Sequence, residues 1–437
     1  MDKNLLISFS LMENSKTLFR KDSLNQLTCL NGIRSICLLW VILTHQMYRD
    51  ILLFPLLNRL DIYKMNRTRG LTVLFGSFCV DSFLLMGGLV LSYSYMNSAS
   101  KGRKFNILRH YVHRCVRLMP VLITVLLFYL TLMKHVRSGP FPDENASQHC
   151  EKYWWSTLLF IQNYLNPTEL CVGTSWYLSV DMQLFVFSPL MLTGLKKAPK
   201  ATMTVLTVLS ICSILSAFLT QWFRQMHTST FAAYLTSVDS VIHIYYPTHS
   251  RASSWIMGLM LGYCIHKTKS KETGIDKNLI KQIVIILLWI LSLLLMVTCA
   301  IVEDDQYLNE FGRFGSSLQM SLTAPAWLLS LSWIIFACVS GYGGLVNWFL
   351  SLPIFRFISK LSYSMVLTHD CIICLMITAA STALDFEVIT VFCQFCGSTM
   401  LSLCVSLVVT LAIEYPFITL EQLLWDKKKK NSATVTC

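Results

Sequence analysis

The chain has 437 residues, 54% hydrophobic and 14% charged, with a mean hydropathy of +0.54. So apolar a composition at this length excludes an ordinary soluble protein and predicts an all-α, polytopic integral membrane protein with no large soluble appendage. A net charge of +12 would suit nucleic-acid binding, but the cations flank apolar segments and form no soluble basic domain, so no nucleic acid is expected as a partner and membrane lipid is.

Residues 1–30 read as a cytoplasmic segment: Leu5 to Met12 is too short for a signal peptide, and Glu13-Asn14-Ser15 offers no cleavage pattern. About ten apolar segments follow, near 33–54, 71–96, 117–136, 174–195, 201–222, 252–267, 280–303, 318–340, 361–380 and 388–415. Each can span about 30 Å of hydrocarbon, the sixth being the shortest. They define a transmembrane domain over 31–418, and 419–437 reads as a basic cytoplasmic tail containing Lys427 to Lys430. Gly341-Tyr342-Gly343-Gly344 with Asn347-Trp348-Phe349 predicts a cytoplasmic turn and a short interfacial helix.

Lys101, Arg103, Lys104, Arg109, Arg114 and Arg117 precede or open the third segment; Lys196, Lys197, Lys200, Lys267, Lys269, Lys271 and Lys277 fill later links. Ten spans with both termini cytoplasmic put all of these inside. The glycosylation sequons at Asn66 and Asn145 then fall outside, as does the stretch between Cys150 and Cys171, where a disulfide is permitted. Arg59, Lys64, Arg67 and Arg69 in the first outer loop run against this arrangement. The membrane is expected to be the endoplasmic reticulum or the plasma membrane.

Arg34 and His45 lie eleven residues apart in one apolar segment. That is close to three helical turns, so they share a face, ~16 Å apart along the axis. A cation and an imidazole on one stripe of a membrane helix are expensive to keep, and point to an anion-holding cation and a general base. The competing reading has Arg34 snorkelling to the interface and His45 bonding a neighbouring helix. Arg114 and Arg117, at i and i+3, suit a phosphate or pyrophosphate, or serve as ordinary flanking charge. Asp81 and Asp181 are acids deep in apolar segments; each either partners a histidine or pairs with a structural cation. His369-Asp370 predicts a proton path, a site wall or a structural polar contact. Cys371-x-x-Cys374 and Cys393-x-x-Cys396 have zinc-ribbon spacing, but each pair falls on a membrane helix with no turn to form a knuckle, so no metal is expected.

Taken in order, these residues resemble the acyltransferase 3 family of membrane acyltransferases, and within it the animal "nose resistant to fluoxetine" group. The resemblance runs from about Phe9 to Leu424. It rests on Leu30-Asn31-Gly32-Ile33-Arg34 with His45, Val80-Asp81-Ser82-Phe83, Arg114-x-x-Arg117-x-x-Pro120, and Cys150 with Trp154-Trp155. It continues through Cys171 leading into Trp176-Tyr177-Leu178-Ser179-Val180-Asp181, then Ser362-Tyr363-Ser364 to His369, and Glu414-x-Pro416. The resemblance implies an O-acyltransferase that moves an acyl group from acyl-CoA, its donor substrate, to a hydroxyl of a lipid, sterol or glycan at or across the membrane, with no tightly bound cofactor. His45 and Arg34 would be its essential pair, with Asp81 or Asp181 orienting the imidazole. Arg114 and Arg117 would hold the donor, and Trp176, Tyr177, Tyr363 and His369 would form the site wall.

Two departures accompany the resemblance. The group usually carries a Cys-rich lumenal region and a further helix upstream, whereas these residues open almost on the first span, which reads as an isoform, a divergent copy or an incomplete gene model. The stretch Tyr246-Pro247 to Arg251 matches only loosely, the family pattern having a second proline. The rival readings are a non-enzymatic lipid or drug transporter on the same scaffold, and a degenerate copy without activity.

Overall fold

The computed structural model describes residues 7–20, 27–53, 56–58, 76–136, 144–226, 239–269, 279–302, 312–380, 382–383 and 385–434. These residues form helices and no β-strand. A short helix α1 (Leu11–Phe19) leads into α2 (Cys29–Leu53), α3 (Phe78–Ser100) and α4 (Ile107–Leu127), which a π-turn prolongs to Val136. Then come α5 (Glu144–Leu158), the pair α6 (Trp176–Val186) and α7 (Ser188–Lys197), α8 (Pro199–Arg224), α9 (Thr248–Lys269), α10 (Leu279–Val302) and α11 (Gly312–Val339). The last are α12 (Gly344–Leu350), α13 (Pro353–Thr378), α14 (Val388–Val409) and α15 (Tyr415–Thr434).

Each expected span falls mainly on helix among the described residues. Among the described residues, seven helices are long and apolar enough to cross a membrane, and the α6–α7 pair, bent by 44°, makes an eighth. α2 and α9 are 25 and 22 residues long but are interrupted by polar residues. They can be, because they are interior. α10 is their opposite: Ile283, Ile286, Leu287, Ile290, Leu291 and Leu294 are all exposed, as expected of a rim helix facing lipid. One of its inward polar contacts is reciprocal, with Ser292 Oγ donating to the Ser330 carbonyl and Ser330 Oγ to that of Ser292.

α3 and α9 cross at backbone contact. A Cβ on Gly88 would sit 2.2 Å from the Trp255 carbonyl oxygen, and one on Gly258 would sit 2.1 Å from that of Leu85. Only glycine permits this approach, the usual device where packing must replace the hydrophobic drive between membrane helices.

Several boundaries differ from expectation, α13 beginning at Pro353 and not 361, and two bear on the arginines and the tail. α4 begins at Ile107, ten residues before the expected 117, because Asn106 caps it by accepting from the Arg109 N–H at 3.0 Å. Arg114 and Arg117 are therefore well inside a helix. At the other end α14 passes through a π-turn (Thr410–Glu414) into α15, so most of the expected tail is helical. It packs on α4, with Glu421 bonded to His113 at 3.0 Å and Arg109 placed over Trp425. The expected short helix after the glycine turn is α12, with Leu345 and Trp348 exposed.

α5 and the turns that follow it make a cap, closed by a disulfide between Cys150 and Cys171. Asn145 lies in the first turn of α5. Asn66 lies outside the described residues.

Candidate active site

α2 and α13 run parallel, and a ladder of polar rungs joins them. Thr28 faces Ser351 at 2.9 Å, Ser35 Oγ donates to the Phe355 carbonyl at 2.9 Å, and Arg34 Nη1 reaches Ser359 Oγ at 3.4 Å. His45 Nδ1 lies 2.7 Å from His369 Nε2. One turn further along α2, Arg49 grips Asp370 with both arms of its fork, Nε to Oδ1 at 3.0 Å and Nη2 to Oδ2 at 2.9 Å. The eleven-residue spacing of Arg34 and His45 thus puts both on the face that meets α13, as helical geometry requires.

His45, Arg49, His369 and Asp370 all line one cavity of about 300 Å³. Trp176, Tyr177, Tyr245 and Tyr246 supply its aromatic wall, and His149, Pro167 and Thr168 of the cap close over it. Gly173 lies against the ion pair: a Cβ there would stand 3.1 Å from Asp370 Oδ2 and 3.4 Å from Arg49 Nη2. With Asp370 only 3% exposed, the carboxylate depends on this one bidentate partner to offset its desolvation.

A second polar cluster lies at the Arg34 end of the ladder. Arg34 and Arg117 repel one another across the gap between α2 and α4, with Tyr177 beside them. Arg114 pairs with Asp181 and lies over the Phe185 ring, 4.7 Å from its centroid. Tyr363 donates from its hydroxyl to the Leu118 carbonyl at 2.5 Å. Glu414, at the end of the π-turn, accepts from Ser364 at 3.1 Å and is within the field of Arg117. Among the described residues, neither Arg34 nor Arg117 has a carboxylate at ion-pair distance. Tyr177 belongs to both regions, lining the cavity and facing the cations.

The acids do not sit where a triad would need them. Asp81 Oδ2 accepts from Arg251 Nη1 at 2.6 Å and Oδ1 from Ser254 at 2.7 Å. Asp181 is held by Arg114. The hydrogen-bond partner of His45 is His369, in place of the expected Asp81 or Asp181. Asp81 instead acts on the cavity wall indirectly: Arg251 also donates to the Tyr245 carbonyl at 3.0 Å and stacks on that ring, 4.1 Å from its centroid. Of the other expected residues, Trp176, Tyr177 and His369 line the cavity, while Tyr363 lies in the arginine cluster. Sequence reasoning missed Arg49. Its signal was present, since i+4 from His45 is the same helical face.

Comparison with known proteins identifies the family. Residues 27–411 match the model of the acyltransferase domain family, Acyl_transf_3. The chain is 26% identical over 97% of its length to nose resistant to fluoxetine protein 6 of Caenorhabditis elegans, covering 54% of that protein. It is 28% identical over 44% of its length to the regulator of hypoxia-inducible factor 1 of the same organism, covering 39% of it. The chain therefore spans about half or less of the length of these relatives. No solved structure matches.

Proposed function

The chain belongs to this membrane acyltransferase family, and from that premise we propose that it is an O-acyltransferase moving an acyl group from acyl-CoA to a hydroxyl on a lipid, sterol or glycan acceptor. The observation that carries the reading is His45: one edge of its ring is fixed by His369 and its side chain lines the cavity. A ring so held is placed to take a proton from an acceptor hydroxyl entering that cavity. The resulting alkoxide attacks the thioester carbonyl, the C–S bond breaks, and the thiolate takes the proton from the imidazolium.

Arg34 is ~16 Å from His45 along α2, too far to stabilise the oxyanion at the same carbonyl. It belongs with Arg117 at the far end of the donor, holding phosphates while the pantetheine arm passes Tyr177 towards His45. With both termini cytoplasmic, as the Lys and Arg distribution favours, donor and acceptor would enter from opposite faces, in the endoplasmic reticulum or the plasma membrane. The acceptor would come from the side carrying the cap.

The test is binding and turnover of labelled acyl-CoAs by purified protein in bilayers, with release of free CoA thiol as the readout. His45→Ala should abolish release and leave binding intact. Release that survives His45→Ala sinks the mechanism. A wild-type protein that binds no acyl-CoA but moves a lipid would be a transporter.

A further inference from the structure

We propose that His369 is a positioning residue that fixes the tautomer of His45, keeping Nε2 as its unprotonated nitrogen. The consequence for catalysis rests on the acyl-transfer reading above; the geometry does not.

The argument starts at Met365, whose backbone carbonyl can only accept. It lies 2.9 Å from His369 Nδ1, so that nitrogen carries the proton. A neutral His369 then offers only a lone pair at Nε2. His45 Nδ1 is 2.7 Å away from it and must be the donor, which leaves His45 Nε2 bare. The two rings are within 8° of parallel with centroids 5.0 Å apart. Combined with the short N–N separation, this places them edge to edge in nearly one plane, as a linear N–H···N bond demands, and not face to face.

Among the described residues, His369 is the hydrogen-bond partner of His45. Asp370 accepts from Arg49 with both oxygens and is bonded to neither histidine among the described residues, so it acts on them through its field. His369 is completely buried, so no bulk water displaces the bond. In a Ser-His-Asp triad a carboxylate selects the tautomer; here a second imidazole anchored to a backbone carbonyl does so. Free histidine in water favours the opposite tautomer, with the proton on Nε2, so the structure imposes a measurable reversal. When His45 Nε2 takes the acceptor's proton, the charge is shared along the N–H···N bond towards His369, beside the Asp370 carboxylate. The same proton returns to the thiolate as the C–S bond breaks.

Solid-state NMR of the protein in bilayers, with ring-¹⁵N histidine, tests this directly; the His45 signals are assigned by their loss in His45→Gln. The wild type should show His45 protonated at Nδ1 and bare at Nε2. His369→Gln, whose amide oxygen can still accept, should keep that pattern and lose CoA release by about tenfold or less. His369→Leu should move the proton to Nε2 and lower CoA release by roughly 10²-fold or more, with acyl-CoA affinity unchanged. A wild-type His45 protonated at Nε2, or a tautomer indifferent to His369→Leu, overturns the proposal. If the tautomers behave as stated but no acyl-CoA is consumed, the assignment stands and the acyl-transfer reading falls.

Discussion

Four arginines among the described residues are partly buried in the polar interior, Arg34, Arg49, Arg114 and Arg251, and a fifth, Arg117, is exposed beside Arg34; the five divide into two kinds. Arg49, Arg114 and Arg251 are each locked to an aspartate: Asp370, Asp181 and Asp81. Arg34 and Arg117 have no such partner among the described residues and sit close enough to repel one another. The difference separates scaffold from site. A paired cation in a membrane domain satisfies a cost internal to the fold; on the proposed acyl-transfer reading, the two without an ion-pair partner would take an anion brought from outside.

The comparison can be broken at its strongest point first. Asp370→Asn leaves Arg49 buried without a counter-charge and should destabilise the protein by about 3–5 kcal/mol, read as a fall in the thermal midpoint in detergent. Replacing both partners, Arg49→Leu with Asp370→Leu, should recover most of that loss. If the single and double variants melt alike, the pair is not what holds α2 to α13.

The next test exploits an apparent equivalence in the sequence. Arg114 and Arg117 look like one motif, yet only Arg114 is paired. Arg114→Ala should lower stability much as Asp181→Asn does, whereas Arg117→Gln should leave the melt unchanged. Arg34→Gln and Arg117→Gln should each weaken acyl-CoA binding by roughly 10–100-fold, the worth of a charge-assisted bond of about 1.5–3 kcal/mol. Equal effects of Arg114 and Arg117 on both measurements would erase the division.

The smallest effect sharpens the comparison. Gly173→Ala presses a methyl against the Arg49–Asp370 pair and should cost about 1 kcal/mol, with no change in acyl-CoA binding. A large loss of binding instead would mean that the pair shapes the donor's seat.

Much of this was legible in the chain. The apolar run of α10 could be nothing but a lipid-facing span, and the eleven-residue spacing of Arg34 and His45 fixed their common face. What could not be read was pairing. Asp81 and Asp181 stood at plausible depths, but depth in a bilayer says nothing of azimuth or of which helix is adjacent. Their arginines lie 170 and 67 residues away in sequence. Arg251 was further obscured by sitting in the stretch that matched the family loosely. The helical tail was missed because its basic residues look solvated, whereas Glu421 and Trp425 tie it to α4.

The His45–His369 rung spans 324 residues of sequence, which bears on biogenesis. α2 emerges from the ribosome before α13, and until α13 docks there is no second ring to orient the first. A nascent chain carries half a site while the residues between the two histidines are made. Any product truncated before α13 inserts has a histidine of the right type in the right helix, without the neighbour that gives it direction.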